Sequence, residues 1–357
     1  MRFDCKRSLI WATTFAGLIC TPFIAIAQSQ QRILLALSKH DHTLAMVDPT
    51  TLKVIARAPV GPDPHEVIAS SDGTKAYVSI YGGGRYHELS VIDLVTKKAL
   101  PSIDTGPLNG PHGLTFVGGK LWFTAEGAKA IARYDPASAK IDWIMGTGQN
   151  RTHMIYVQPD EKRIYTTNVA SGTVTILEYV ALPPMRPPPG MRPPGGQPPP
   201  PPPGGTRMDW NEIVIPVGKG DEGFDVSPDG RELWTANAQD GTLSVIDLAT
   251  RKVAATINSG TFSANRLKFT PDGKLVLISR LNNGDLTIWD AATRKEFKRV
   301  PIGHGAAGIL VDPDGTRAFV SCGPDNYVAV VDLKTFQVTG HIDVGGEPDG
   351  LAWATKQ

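Results

Sequence analysis

From about residue 30 to the C-terminus the apolar positions come in short runs separated by polar turns, and the runs fall into groups of four. Residues 219–260 hold the plainest copy: FDVS, Pro228-Asp229-Gly230, ELWTAN, Asp240-Gly241, LSVID, a polar turn, then VAATI. Runs of this length bounded by Asp-Gly pairs predict strands, and the Asp-Gly pairs supply the residues tolerant of positive φ that tight hairpins need. Each copy therefore predicts a four-stranded antiparallel meander.

The copies close at Gly61, Gly106, Gly148, Gly218, Gly260, Gly303 and Gly345, at spacings of 45, 42, 70, 42, 43 and 42 residues. A period in the low forties with four strands per unit predicts a β-propeller. The first copy, ILLALS (33–38), TLAMVD (43–48) and VIARAPV (54–60), has only three strands, while GEPDGLAWAT (346–355) reads as an orphan first strand. The expectation is an all-β, seven-bladed propeller closed by the C-terminal strand, which completes the first blade and removes exposed sheet edges.

The single spacing of 70 is accounted for by residues 183–203, where 13 of 21 residues are proline. Such a stretch lacks backbone donors and favours polyproline II, so it cannot enter a sheet. It lies between TVTILEYV (173–180) and NEIVIPV (211–217), which makes 183–205 an insertion within the fourth blade. Joining third and fourth strands, it is expected on the face opposite the inner-strand entrances, as a partner-docking arm or as a tolerated low-complexity insertion.

Composition changes this picture mainly at the N-terminus. Arg2, Lys6 and Arg7 precede an apolar run from Leu9, and Ala25-Ile26-Ala27 offers small residues for cleavage before Gln28. Residues 1–27 thus read as a signal peptide and 28–357 as the propeller, with a periodic expectation of periplasmic or secreted location and no membrane span after cleavage. Removing Arg2, Lys6, Arg7 and Asp4 from 36 basic and 35 acidic residues leaves 33 and 34. A near-neutral chain has no global electrostatic case for nucleic acid. Of three cysteines only Cys322 lies beyond the leader, so no internal disulfide is expected, and Cys322 reads as a small apolar filler. No C-x-x-C-H occurs, so no covalent haem is expected. The expected assembly is a monomer.

Several recurrent residues have structural explanations. Asp48, Asp93, Asp135, Asp247, Asp290 and Asp332, with Glu178 in the interrupted blade, close the third strands and are placed to cap the turns that follow. One position breaks the repeat. Counting back from the first turn of each copy gives His65, His112, His153, Glu222, Asn265, Ala307 and, in the closing strand, Asp349. In a propeller this position opens the innermost strand, so these residues are expected to ring one mouth of the central channel. Loops after the second strands should surround the same mouth and add His40, Tyr81, Glu126, Asn168, Arg280 and Cys322. Three imidazoles and a carboxylate, His65, His112, His153 and Glu222, could hold a divalent metal ion such as zinc or copper. Glu126, Asn168, Asn265, Arg280 and Asp349 are the candidate ligand-binding groups. The competing explanation is that polar side chains simply solvate a wet channel mouth.

The second strands YVSI (77–80), YTTN (165–168) and WTAN (234–237), with LSVIDL at 89–94 and 243–248, resemble the YVTN-repeat, YncE-like family of exported seven-bladed propellers. The third blade, GPHGLTFVGGKLWFTAEGAKAIARYD (110–135), resembles the repeats of virginiamycin B lyase and gluconolactonases. The resemblance implies a binding or scaffold protein acting on a protein or small-molecule partner. It implies two alternatives: a metal-assisted lyase or lactonase, and an accessory of a periplasmic quinoprotein or haem oxidation system. The architecture itself hosts many functions, so function must be read from the site.

Overall fold

In the computed structural model, which describes residues 1–2, 32–182 and 207–355, strands are built in sets of four wherever the sequence pattern repeats. The described residues form seven four-stranded antiparallel sheets. Six take four consecutive strands. The seventh, blade 1, is made of Pro348–Thr355 followed by Arg32–Ser38, Thr43–Asp48 and Lys53–Pro59. Leu34 pairs with Trp353 and Ala36 with Leu351, so the two ends of the chain close the ring. The all-β, seven-bladed architecture with C-terminal closure is as the repeat predicts.

Apolar content follows position in the blade. Second strands such as Lys75–Ile80 and Glu232–Asn237 are buried on both faces, because each sheet is sandwiched between two others. Their sequences are accordingly apolar almost throughout. Outer strands such as Lys252–Asn258 alternate, with one face against the neighbouring blade and the other in solvent. Between blades 1 and 2, Leu35, Leu37, Leu44, Met46, Val67, Val78 and Ile92 form one apolar cluster, and comparable clusters fill other blade interfaces. The strand-closing aspartates cap their turns: Asp48 Oδ1 accepts the Thr50 and Thr51 amides, and Asp332 Oδ1 those of Lys334 and Thr335.

In blade 4, Thr173–Ala181 pairs with Met208–Pro216, from Thr173↔Pro216 beside the inner-strand entrance to Ala181↔Met208 at the far end. The segment between residues 181 and 208 thus leaves from the end remote from the channel mouth. The proline-rich insertion and all of the expected signal peptide beyond Arg2 lie outside the described residues. The seven sheets belong to one compact unit. Among the described residues no helix is long and apolar enough to cross a membrane.

Candidate functional site at the channel mouth

The mouth is built by one irregularity repeated in every blade. Pro64 pairs with Ile80 but Val67 with Val78, so His65 and Glu66 together oppose Ser79. The same two-against-one step falls at 112–113, 153–154, 222–223, 265–266, 307–308 and 349–350. Such a bulge re-aims a side chain out of the normal alternation. Its first residue is the position at which the repeat breaks, and His65, His112, His153, Glu222, Asn265, Ala307 and Asp349 all line one cavity of about 470 Å³.

The second bulge residue is glycine in four blades because the next blade leaves no room. A Cβ on Gly113 would lie 2.5 Å from the His153 carbonyl oxygen, and one on Gly350 2.4 Å from that of His65. Two exceptions carry charge: Arg266 of blade 6 donates to Glu66 of blade 2, a buried ion pair spanning the channel. Hydroxyls of the second strands complete the seam. Thr124 Oγ1 accepts the Gly113 amide at 2.9 Å and donates to the His153 carbonyl at 2.6 Å, and Ser279 does the same between Arg266 and Ala307.

A further repeat lies two residues before the ring position. Asp63, Gly110, Arg151, Gly220, Ser263, Gly305 and Glu347 all have φ between 51° and 76°. The carbonyl of each accepts the amide of the residue that follows a second strand, namely Tyr81, Glu126, Val169, Ala238, Leu281, Gly323 and Lys39 in turn. These latches hold the second-strand loops around the mouth, which puts Tyr81, Glu126 and Lys39 beside the ring.

Three of the four expected metal ligands lie close together, but with different partners. The His112 and His153 rings are 3.9 Å apart between centroids, and His65 is 5.0 Å from His112. His112, His153 and Glu126 each bring one potential ligand atom to within 4.8 Å of the others. His112 Nδ1 and His153 Nε2 are buried with no hydrogen-bond partner among the described residues. Glu126 sits behind the cavity wall, taking a short hydrogen bond with His153 Nδ1 and one from the Tyr81 hydroxyl at 2.5 Å. Glu222 Oε1 lies 3.6 Å from His153 Nε2 and accepts from Asn265 Nδ2 at 3.1 Å. His153 is therefore bracketed by two carboxylates. His65 belongs to a neighbouring polar group: its Nε2 is 2.9 Å from both Asp63 Oδ1 and Lys39 Nζ, and Lys39 reaches Asp349 at 3.3 Å.

The electrostatics follow from these contacts. Burial, with the charges of His153, His65, Arg266 and Arg151, holds the His112 imidazole well below its ordinary value, so it is neutral at pH 7. Burial alone would raise the Glu126 carboxyl, but bonding to His153 and Tyr81 and the Arg151 charge overcome it and keep the group ionised. The Tyr81 phenol is pushed up by burial and by Glu126. The bond to His65 lowers Asp63 to about 2.

Asn265, Asp349 and Glu222 face the cavity; Asn168 and Arg280 do not. The Asn168 amide is spent inside blade 4 on Thr173 and Thr175, and its oxygen accepts from Thr152. Arg280 donates to the Phe262 carbonyl and pairs with Asp285 at 3.7 Å. Cys322 is a buried thiol at a strand end, and His40 points to solvent beside Asp41. Sequence reading missed Lys39, Asp63, Arg151, Glu66 and Arg266. Arg151 and Asp63 could have been found as charged residues where other copies place glycine.

Residues 206–350 match the family model described as YNCE-like beta-propeller. No curated protein matches it by sequence. Among solved structures it is similar to a functionally unknown protein from Desulfotomaculum acetoxidans, at 12% identity over 90% of this chain and 98% of that one, TM-score 0.68. A protein from Bacteroides uniformis proposed to be a 6-phosphogluconolactonase is similar at 14% identity over 91% and 100%, TM-score 0.69. Hydrazine synthase of Kuenenia stuttgartiensis is similar at 17% identity over 88% and 99%, TM-score 0.63. At these identities the likeness shows the propeller fold alone.

Proposed function

We propose that this YNCE-like β-propeller is an exported binding protein whose working site is the channel mouth, where His112, His153 and Glu126 hold a divalent transition-metal ion. One observation carries the reading: two buried imidazoles, each with an unpartnered nitrogen, converge with a carboxylate to within 4.8 Å. A buried polar atom without a partner costs roughly 1–3 kcal/mol, and an ion would remove that cost. Imidazole and carboxylate together suit Zn²⁺, Cu²⁺ and Ni²⁺, and a neutral His112 has its lone pair available at pH 7. With His153 Nδ1 and Glu126 on the ion, Glu222 stands 3.6 Å from His153 Nε2 to fix the ring from the other side, as metal-ligating histidines generally require. Three protein ligands leave a coordination position open, and the cavity is where a ligand would fill it.

Tag-free protein, stripped with chelator and titrated with Zn²⁺, Cu²⁺ or Ni²⁺, is expected to take up one ion per chain, read by calorimetry and elemental analysis. His112→Ala with His153→Ala should weaken uptake by about 100-fold or more, and Glu126→Gln and Glu222→Gln separately show which carboxylate coordinates. Failure to bind any of the three ions, or uptake unchanged in the double variant, rules the metal site out. Mass spectrometry of the same preparation should give a chain beginning at Gln28; an intact Met1 would argue against export.

A further inference from the structure

The cavity at the mouth has two unlike walls. The residues latched in after the second strands are Lys39, Tyr81 and Glu126 in blades 1 to 3, but Val169, Ala238, Leu281 and Gly323 in blades 4 to 7. Ring positions run polar from His65 to Asn265 and turn apolar at Ala307. Leu281, Ala307, Pro324 and Pro348 thus face the cavity from the side of blades 6, 7 and 1, and Leu281 is 44% exposed. Arg266, paired with Glu66 from the opposite side of the ring, lines the same cavity.

Among the cations of the mouth, Arg151 is the one least committed to the fold. Arg266 is neutralised by Glu66, and Lys39 is shared by His65, Asp63 and Asp349. Arg151 makes one long hydrogen bond among the described residues, Nε to Glu126 Oε2 at 3.4 Å, and its side chain is nearly half exposed in the cavity. It also stands at φ 55°, where the equivalent residues of blades 3, 5 and 7 are glycine.

We propose, on the footing that the channel mouth is the working site, that it binds a small organic carboxylate, with the carboxylate on the Arg151 guanidinium beside the histidine cluster and the apolar body against Leu281, Ala307, Pro324 and Pro348. The planar guanidinium fork matches a carboxylate in geometry as well as charge. A cavity of about 470 Å³ is of the size that encloses one small molecule. The apolar wall supplies affinity by burial, and the charged wall supplies orientation.

Benzoate tests this directly, with acetate, benzyl alcohol and benzylamine as comparisons, by calorimetry and thermal shift on both chelator-stripped and metal-loaded protein. Benzoate is expected to bind at least 10-fold more tightly than each of the other three. Arg151→Gly, which relieves the positive φ but takes a charge partner from Glu126, should remain cooperatively folded yet lose benzoate at least 10-fold. Leu281→Asp should weaken benzoate while leaving acetate little changed. If benzoate binds neither form, if benzylamine binds in its place, or if Arg151→Gly keeps full benzoate affinity, the inference is overturned, even in a chain that takes up metal. Arg151-dependent benzoate binding in a chain that takes up no metal would support the inference while defeating the metal reading.

Discussion

At the residue scale the site is governed by what burial does to charge. His112 is almost wholly inside the protein, next to a second imidazole, so its protonation is disfavoured by lost solvation first and by its neighbours' charge second. Its folded value therefore lies below its unfolded value near 6.5. The sign follows: between those two values the unfolded chain binds the extra proton, so this group's contribution is complete above about pH 6.5 and is lost as pH falls through the folded value. Metal-free His112→Gln should consequently lose less melting temperature between pH 7 and pH 5 than the parent. Parallel pH profiles for the two proteins would mean that the imidazole is not desolvated as described. His65 shows the limit of residue type as evidence: an equivalent imidazole one blade away is engaged by Asp63 and Lys39.

At the scale of the element, the inner-strand bulge and its glycine decide how closely one blade's entrance meets the next. Gly113 does not need positive φ; it needs the space that a Cβ would take from the His153 carbonyl, 2.5 Å away. Gly113→Ala must push the entrance of blade 4 outward, at a cost of roughly 1–3 kcal/mol for overpacking. Gly146, on the outer strand of the same blade, has nothing within 4 Å of its would-be Cβ. Denaturant unfolding should therefore show Gly113→Ala clearly destabilised, with weaker ion uptake, and Gly146→Ala near the parent. Equal midpoints for the two variants would show that the bulge is not tightly packed. The hydroxyl repeated in the second strands finds its reason here: Thr124 links the Gly113 amide to the carbonyl of the neighbouring histidine, as Ser279 links the Arg266 amide to that of Ala307.

At the scale of the whole molecule, closure is what turns seven local meanders into one site. Pro348–Thr355 pairs with Arg32–Ser38, and Trp353 packs on Phe319 while its indole donates to the Val311 carbonyl. Removing residues 346–357 takes away the innermost strand of blade 1, exposes the edge of Arg32–Ser38, and removes Asp349 from the mouth. Loss of buried Leu351 alone is comparable to a large-to-small core change of about 2–5 kcal/mol, and partly buried Trp353 adds to it. The truncated chain is expected to aggregate or to melt at least 10 °C lower, since about 1 kcal/mol shifts a large domain by some 2–4 °C. A truncated chain that unfolds as cooperatively and as late as the full one would show that the ring does not depend on this clasp.

The sequence by itself determined the blade count, the ring closure and the seven positions that surround the mouth, because strand alternation, turn chemistry and a fixed period are local and repeat. It also set apart the position where interchangeable packing residues give way to His65, His112, His153, Glu222, Asn265 and Asp349. Only the tertiary structure decided which of these act together. Glu126 joins His112 and His153 through a latch to Gly110, whereas Asn168 and Arg280, one position earlier at the last residue of their second strands, turn into their own blades. Arg266 meets Glu66 across 200 residues of chain. Groups contributed by separate blades have no spacing for a sequence to display. Their juxtaposition is fixed by the bulges, the glycine contacts and the closed ring.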